Sequence, residues 1–357
     1  MTDTIMKWPD DKKCLESLLS THVLGNHDDY MKSWHEMNDY VKAEGLFDDE
    51  DDNGIMQSPE IKPIITVKPI IWATGNDDGN AFNDAITIND LTNIETRVMK
   101  SKEARKSRTK TKAEVFTPSW VCSYQNDLAD DRILGQEHVF GHVDGTSWIP
   151  NMKPVPFNDD NERIRFILSK RMEITCGEAP YVAQRYDTTS GEIIPVYDEN
   201  NGFMRSGLLD RKLRVISENK EWLKPEIWRM LAMIALKATY AYEWQGDNLL
   251  IARMNIVNDI IEWHEELFKK KPSITYVREL YSAVSWNTWQ MDGLKQVIPM
   301  SCSNDCKACK NKDNRGHDGL QPLIAWWKPS SDSLEPSFDE IRTFDNIVEY
   351  NAVRNDK

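Results

Sequence analysis

The 357-residue sequence lacks any run of about 20 consecutive apolar residues, the length that a helix needs to span a bilayer. It also lacks the basic stretch and short apolar segment of a secretory signal, because Met1 is followed by Thr-Asp-Thr-Ile. These two absences predict a cytoplasmic protein with no membrane contact. The six cysteines are therefore expected to be free thiols or metal ligands rather than disulfides.

Several common signatures of enzymes and repeat proteins are also missing. The sequence contains no P-loop, no Ser-His-Asp order and no repeat of fixed period. With 40% hydrophobic and 10% aromatic residues, it nevertheless has enough apolar material for a packed core. The length predicts one large α/β domain with additions, or two domains.

Charge is unevenly distributed along the chain, whose formal net charge is −14. The first sixty residues hold fifteen acidic and five basic residues, whereas residues 97–112 hold eight basic residues against Glu103 alone. This basic run directly precedes an apolar, aromatic segment, an arrangement that suits contact with a phosphate backbone; a solvated arm is the alternative. The residues predicted to bind nucleic acid are Lys102, Arg105, Lys106, Arg108, Lys110 and Lys112.

Apolar periodicity gives a coarse set of elements. Helices are predicted over residues 14–24, 28–45, 119–128, 217–239 and 248–267, with a further apolar segment at 277–286. Residues 61–72 are predicted to form an extended edge strand or an irregular strand. Residues 75–84 are predicted to form a loop, and 130–160 to be irregular. Glu173–Gly177 is predicted to be a strand that ends in a turn. A further strand is predicted over 240–244. The alternation of strands with helices is typical of an α/β fold.

The acidic segment 49–60 partly matches a calcium-binding loop. Asp49, Asp51, Asn53, Gly54 and Glu60 stand at the expected spacing. Pro59 and the β-rich stretch after it leave no room for the second helix of such a motif. A chance match in an acidic segment is therefore the favoured interpretation.

A cysteine-rich segment near the end of the sequence suggests a metal site. Cys302, Cys306 and Cys309 are followed by His317, so three thiols and an imidazole lie within sixteen residues. Such a set can close a tetrahedral zinc site in a segment with little hydrophobic core of its own. Free thiols and an iron–sulfur cluster are the alternatives.

Three motifs follow one another in the middle of the chain: Phe116-Thr117-Pro118, then Glu173 to Ala179, then Tyr242-Glu243-Trp244. The segments EVFTPSWVC, EITCGEAPYVAQRYD, GLLDRKLRVI and YEWQGDNLLIARMN carry them, and in this order the chain resembles the adenine-specific DNA methyltransferases of restriction–modification systems. The resemblance covers residues from about 105 to 310. It implies a Rossmann-like class I fold that binds S-adenosylmethionine.

The family's cofactor motifs fall on specific residues here. A Phe/Tyr-Thr-Pro motif, which cradles the methionine end of the cofactor, would be Phe116, Thr117 and Pro118. The Asp-Pro-x-Cys-Gly-Ser-Gly loop would cover Glu173, Cys176, Gly177 and Ala179, where alanine replaces the second glycine. Glu243 would bind the ribose hydroxyls, although an ordinary surface carboxylate is the alternative.

The family's catalytic Asn/Asp-Pro-Pro-Tyr/Phe string is absent from this sequence. Its expected place holds Trp286, Asn287 and Trp289, so Asn287 is the predicted acceptor for an adenine amino group and the tryptophans are the predicted stacking partners of a flipped base. A buried strand end is the alternative interpretation of this string.

Together these features predict an acidic accessory region at 1–95, a methyltransferase-like domain at 96–300 with its basic arm at 97–112, and a zinc-knuckle-like segment with tail at 301–357. The predicted function is adenine-N6 methylation of DNA, with a restriction or defence-system protein as a further partner. The alternative is a catalytically inactive protein of the same fold that binds nucleic acid or a partner in phage–host defence. RNA or protein methylation would differ only in the acceptor.

Overall fold

The structure is a computed structural model that describes residues 5–24, 65–73, 83–112, 116–329, 331, 333 and 335–347. The predicted helix at 28–45, the calcium-loop match at 49–60 and most of the loop at 75–84 lie outside these residues. Within the described part of the chain, no helix combines the length and hydrophobicity that crossing a membrane requires.

Helices and strands are interspersed along the described part of the chain. The helices are α1 (Lys12–Leu19), α2 (Lys102–Lys112), α3 (Ser119–Leu134), α4 (Asp160–Leu168), α5 (Leu208–Ser217), α6 (Pro225–Lys237), α7 (Gly246–Phe268), α8 (Ile274–Asn287) and α9 (Lys307–Asn311). The strands are β1 (Ser20–Leu24), β2 (Ile65–Pro69), β3 (Gly141–Asp144), β4 (Ser147–Pro150), β5 (Arg171–Ile174), β6 (Tyr197–Asp198), β7 (Gly202–Phe203), β8 (Thr239–Glu243), β9 (Thr288–Gln290), β10 (Leu323–Ala325) and β11 (Ile341–Thr343).

A three-stranded parallel sheet, in the order β5-β8-β9, lies at the centre of the fold. Helices α5 and α6 connect β5 to β8, and α7 and α8 connect β8 to β9. The parallel sheet with helical connections confirms the predicted mixed α/β class. A doubly wound Rossmann sheet also reverses its strand order at the ligand-binding crevice. The three parallel strands described here follow chain order without a reversal.

Side chains from both halves of the chain share the main hydrophobic core. Trp228, Leu249 and Trp263 from the central helices are fully buried, and Leu18 and Ile70 belong to the same cluster. The boundary predicted at residue 95 therefore does not coincide with a break in packing. A second cluster packs the β10–β11 hairpin against Tyr240 and Trp289 of the sheet.

Several predicted elements have different bounds. The helix predicted over 14–24 ends at Leu19, because the alternating burial of residues 20–24 suits the strand β1, which pairs antiparallel with β2. The helix predicted over 217–239 starts only at Pro225, at a position where the missing N–H of proline costs nothing, and the helix α5 that precedes it was not predicted. The stretch 130–160, predicted to be irregular, contains the β3–β4 hairpin.

Candidate ligand site at the carboxyl edge of the sheet

The carboxyl ends of β5 and β8 meet at one edge of the sheet, where parallel strands usually present ligand sites. The loop after β5 is unusually constrained, since Thr175, Gly177 and Ala179 all have positive φ angles, of 51°, 55° and 63°. Only glycine adopts this region without a steric penalty. The loop therefore holds two non-glycine residues in a strained conformation, which is a feature of functional loops.

Glu243 joins this loop to the end of β8. The Gly177 N–H donates to Glu243 Oε2 at 2.8 Å, and the Gln245 N–H donates to Oε1 at 3.0 Å. The carboxylate is 6% exposed, and this burial raises its pKa, while the two amide donors act in the opposite direction. Both of its oxygens are thereby oriented along the carboxyl edge.

The predicted Phe-Thr-Pro motif lies beside the same loop. A Cβ on Gly177 would stand 3.6 Å from the Phe116 ring, and the Arg97 guanidinium lies 5.0 Å from the centre of that ring. The Thr117 carbonyl accepts a hydrogen bond from Thr188 Oγ1 at 3.1 Å. Pro118, at the N-cap of α3, has no side-chain donor or acceptor for capping.

The Asp187 side chain supplies the hydrogen-bond acceptor that Pro118 cannot provide at the N-terminus of α3. Its carboxylate accepts the Ser119 N–H at 2.6 Å, and it also accepts hydrogen bonds from Thr189 and Ser190. These donors hold the pKa of Asp187 below its usual range despite the opposing effect of burial. The sequence analysis missed this residue, because its partner on α3 is 68 positions away.

Three more of the predicted cofactor residues are Cys176 and Ala179 in this loop and Glu173 in β5 before it. Cys176 donates its N–H to the Tyr242 carbonyl at 2.9 Å, and its carbonyl accepts the Ala179 N–H at 2.7 Å. Burial raises the pKa of the Cys176 thiol, so it stays protonated near neutral pH. Burial likewise raises the pKa of Glu173 well above its usual range, and its Oε2 is buried with no hydrogen-bond partner among the described residues.

Glu178 links the loop to the segment before α2 through hydrogen bonds. It was not among the predicted site residues. Its carboxylate accepts the Arg97 N–H at 2.6 Å and the Tyr186 hydroxyl at 2.7 Å. Its carbonyl accepts a hydrogen bond from Asn255. A Glu-Ala pair after glycine gives no sequence signal for this role, since Arg97 and Asn255 are 81 and 77 positions away.

Residues 70–73 cross the ends of β8 and β9. Gln290 Oε1 accepts the Ile71 N–H at 3.1 Å, and its Nε2 donates to the Ile71 and Trp244 carbonyls. A side chain at Gly246 would collide with the Ile71 carbonyl, so glycine is required for this close approach. The segment therefore closes one side of the carboxyl edge.

The structure does not bring the predicted catalytic residues to this edge. Asn287 is the last residue of α8 rather than a strand end, so it precedes β9 and lies at the amino edge of the sheet. Its amide donates to the Leu236 and Thr239 carbonyls, and its Oδ1 accepts from Trp327 Nε1 at 2.8 Å. With its hydrogen-bonding groups engaged in the core, Asn287 is not placed to hold an adenine amino group.

The two tryptophans are also structural. Trp286 stacks on His22 with ring centroids 3.5 Å apart, and Trp289 is fully buried against Tyr242. Neither ring is exposed for stacking on a flipped base. The alternative interpretation, a buried packing role, agrees with these contacts.

Most of the basic run forms α2, and its basic side chains differ in their exposure to solvent. Lys102, Lys106 and Lys110 are exposed at a spacing of four residues, which places them on one face of the helix. Arg105 is half-buried, and the side chain of Lys112 lies outside the described part of the chain. The prediction for Arg108 is corrected, because its buried guanidinium pairs with Asp247 at 2.8 Å.

The predicted metal ligands converge as expected. Nδ1 of His317 lies 3.7, 3.6 and 3.4 Å from the sulfurs of Cys302, Cys306 and Cys309, and all four ligand atoms lie within 4.8 Å of one another. Tetrahedral zinc with Zn–S of about 2.3 Å and Zn–N of about 2.0 Å separates nitrogen from sulfur by roughly 3.6 Å. The cluster could therefore hold a metal such as zinc.

The second nitrogen of His317 has the partner that a metal-ligating imidazole needs. Its Nε2 lies 2.9 Å from the Asp313 carbonyl, which selects the tautomer with a free lone pair on Nδ1. Asp318 supports the loop by accepting the Ser303 N–H at 3.1 Å. The segment is thus folded around the four ligand atoms.

Comparison with known proteins provides no identification. No family model, no curated protein and no solved structure matches this chain.

Proposed function

We propose that the protein binds S-adenosylmethionine at the carboxyl edge of its sheet and contacts DNA through α2. The pairing of Glu243 with the Gly177 amide is the observation that carries this proposal, because it places a buried carboxylate beside a glycine turn at the ends of adjacent parallel strands. Nucleotide-binding α/β proteins hold a ribose with the same combination.

The acceptor capacity of Glu243 supports ribose binding. An ionised carboxylate has about four lone-pair positions, and the Gly177 and Gln245 amides use one on each oxygen. The remaining positions would accept the two ribose hydroxyl protons. The amides fix the carboxylate in advance, so little side-chain entropy would be lost on binding.

Two further groups suit the cofactor. The Phe116 ring lies 3.6 Å from the position of a Cβ on Gly177, so it would form an aromatic wall beside a ligand at this loop. Glu173 Oε2, which has no hydrogen-bond partner in the described part of the chain, offers one more hydrogen-bonding atom near the same loop. When bound, S-adenosylmethionine supplies an electrophilic methyl group.

DNA contact is assigned to the exposed face of α2. Lys102, Lys106 and Lys110 present three ammonium groups along one helix face, and each would neutralise a backbone phosphate. Arg108 would hold the helix in place rather than touch DNA. Its partner Asp247 is four residues from Glu243, so the DNA-contacting helix is anchored next to the proposed cofactor site.

The inactive alternative is favoured over adenine methylation. Transfer to adenine N6 needs a hydrogen-bond acceptor for the amino group next to the cofactor methyl. Asn287, the predicted acceptor, lies at the amino edge with its amide engaged by the Leu236 carbonyl and Trp327. We therefore propose a methyltransferase-like protein that binds cofactor and DNA without methylating adenine.

Incubation with methyl-tritiated S-adenosylmethionine and mixed-sequence duplex DNA tests this proposal. We expect label to be retained by the protein and DNA to shift in a gel, with no label in the purified DNA. Label in adenine would establish methylation and overturn the inactive assignment. Absence of label on both protein and DNA would overturn cofactor binding itself.

A further inference from the structure

A cavity lies near the amino ends of β5 and β8, at the opposite end of these strands from the proposed cofactor site. It has a volume of about 680 Å³, within the range of small-molecule sites. Met172 at the start of β5 and Tyr240 near the start of β8 form its floor. Residues around β10 and β11 form the facing wall, including Trp326, Arg342 and Phe344.

One side of the cavity is aromatic. The Tyr240 and Trp326 rings lie 4.9 Å apart between centroids with a tilt of 34°. Tyr240 is buried, and its hydroxyl donates to the Ala325 carbonyl at 3.1 Å, which fixes the ring. Trp326 is half-buried, so part of its surface is available to a planar ligand.

The other notable feature is a pair of cationic side chains. Lys170 Nζ lies 3.9 Å from the Trp326 ring centre and donates to the Trp327 carbonyl at 2.7 Å. Arg342 Nη1 donates to its neighbouring Ile341 carbonyl. Neither cation forms an ion pair with a residue in the described ranges.

Two carboxylates lie close to these cations. Asp339, which lines the cavity, pairs with Lys328. Glu340 accepts the Lys328 N–H at 2.8 Å and the Ser337 N–H at 3.0 Å, and its charge partly offsets that of Lys170. The residues that line the cavity include Lys170, Arg171, Lys328 and Arg342 against the acidic Asp339, so the lining keeps a net attraction for an anion.

We propose that this cavity binds a nucleoside monophosphate, with its base against the half-buried Trp326 and its phosphate between Lys170 and Arg342. A planar ring would stack on the accessible part of Trp326, and a phosphate would pair with two cations that form no ion pair within the described residues. A bound phosphate would also offset the cost of keeping the half-buried Lys170 ammonium charged.

Equilibrium dialysis with adenosine 5′-monophosphate tests the proposal, with adenosine and inorganic phosphate as half-ligands. We expect saturable binding of the monophosphate and at least about tenfold weaker binding of either half, because each supplies only one class of contact. Lys170→Gln and Arg342→Gln, on separate elements, should each weaken binding by roughly tenfold or more. Lys220→Gln removes an exposed lysine elsewhere and should bind as wild type does.

Glu243→Gln separates this cavity from the proposed cofactor site. Unchanged binding of the monophosphate in that variant places the ligand away from the carboxyl edge, whatever the fate of S-adenosylmethionine. No saturable binding up to about 10 mM, or equal affinity in wild type and both cation variants, would overturn the proposal. Binding of a 5′-phosphorylated oligonucleotide without binding of the monophosphate would also overturn it, in favour of a nucleic-acid contact.

Discussion

Arg108 and Asp247 form a buried ion pair, with 2.8 Å between Nη2 and Oδ2, that fixes the basic helix α2 to the start of α7. Arg108 also donates to Gln245 Oε1 at 2.7 Å. The pair is 5% exposed at both side chains. A residue from a basic run thus has a structural role, next to the carboxylate proposed to bind ribose.

Removal of one partner from this ion pair should destabilise the protein. Arg108→Met leaves the buried Asp247 carboxylate with Lys100 Nζ, 3.9 Å away, as its remaining cation, so the loss should not exceed the cost of breaking a buried pair, about 3–5 kcal/mol. We expect a lower midpoint of urea unfolding and faster tryptic cleavage within α2. Lys106→Met, on the exposed face of the same helix, is the matched control and should leave both unchanged. Equal stability of the two variants would show that α2 is anchored by other contacts.

The exposed face of α2 should determine DNA affinity. Replacement of Lys102, Lys106 and Lys110 by Gln should weaken duplex binding and lower the slope of log K against log salt by about 0.9 for each lost phosphate contact. Fluorescence anisotropy at several salt concentrations measures both quantities. The control replaces the exposed lysines 269, 270 and 271 after α7, with no expected effect. Equal losses in the two triple variants would assign binding to overall charge instead.

Zinc should stabilise the segment around α9. Wild-type protein is expected to carry about one zinc per chain by elemental analysis, and a chelator should lower its unfolding temperature. Cys306→Ser should lose most of the metal, because it removes one of four ligands. Cys14→Ala alters a buried thiol in the main core and should retain the metal. Metal-free wild-type protein whose unfolding is unaffected by added zinc would contradict this assignment.

His22 should make stability depend on pH. Burial, assisted by nearby Arg253, lowers the pKa of His22 from 6.5 to about 4. The unfolded chain therefore binds a proton below about pH 6.5 that the folded chain rejects until about pH 4. Stability should be complete above the upper value and fall between the two.

His22→Phe keeps a ring against Trp286 and removes this titration. Urea unfolding from pH 7 to pH 4 should show a smaller loss of stability in the variant than in wild type. Parallel curves for the two proteins would indicate that His22 titrates normally.

Local patterns predict two of the three parallel strands and the metal cluster. Strand ends near Ile174 and Glu243 follow from β-branched and aromatic runs before a glycine or a polar turn, and the spacing of three cysteines and His317 identifies the four converging ligands. Both features depend on residues close together in sequence. Both features could therefore be predicted from the sequence.

Long-range partners account for what sequence analysis missed. In the sequence, Arg108 is one basic residue among several in the same run. It is distinguished only by its contact with Asp247, on a distant helix. Asn287 reads as a strand end, yet α8 continues through it and the strand begins at Thr288. Because the strand follows Asn287 instead of ending at it, its side chain lies at the amino edge, where the Leu236 carbonyl and Trp327 engage it.

Calorimetric titration of S-adenosylmethionine into wild type and Glu243→Gln tests the central claim most directly. We predict saturable binding to wild type and at least about tenfold weaker binding to the variant, since a neutral amide accepts hydroxyl protons less strongly than a carboxylate. Glu192→Gln, at an exposed position, should bind as wild type does. No binding to wild type, or undiminished binding to Glu243→Gln, would contradict a cofactor site at the carboxyl edge.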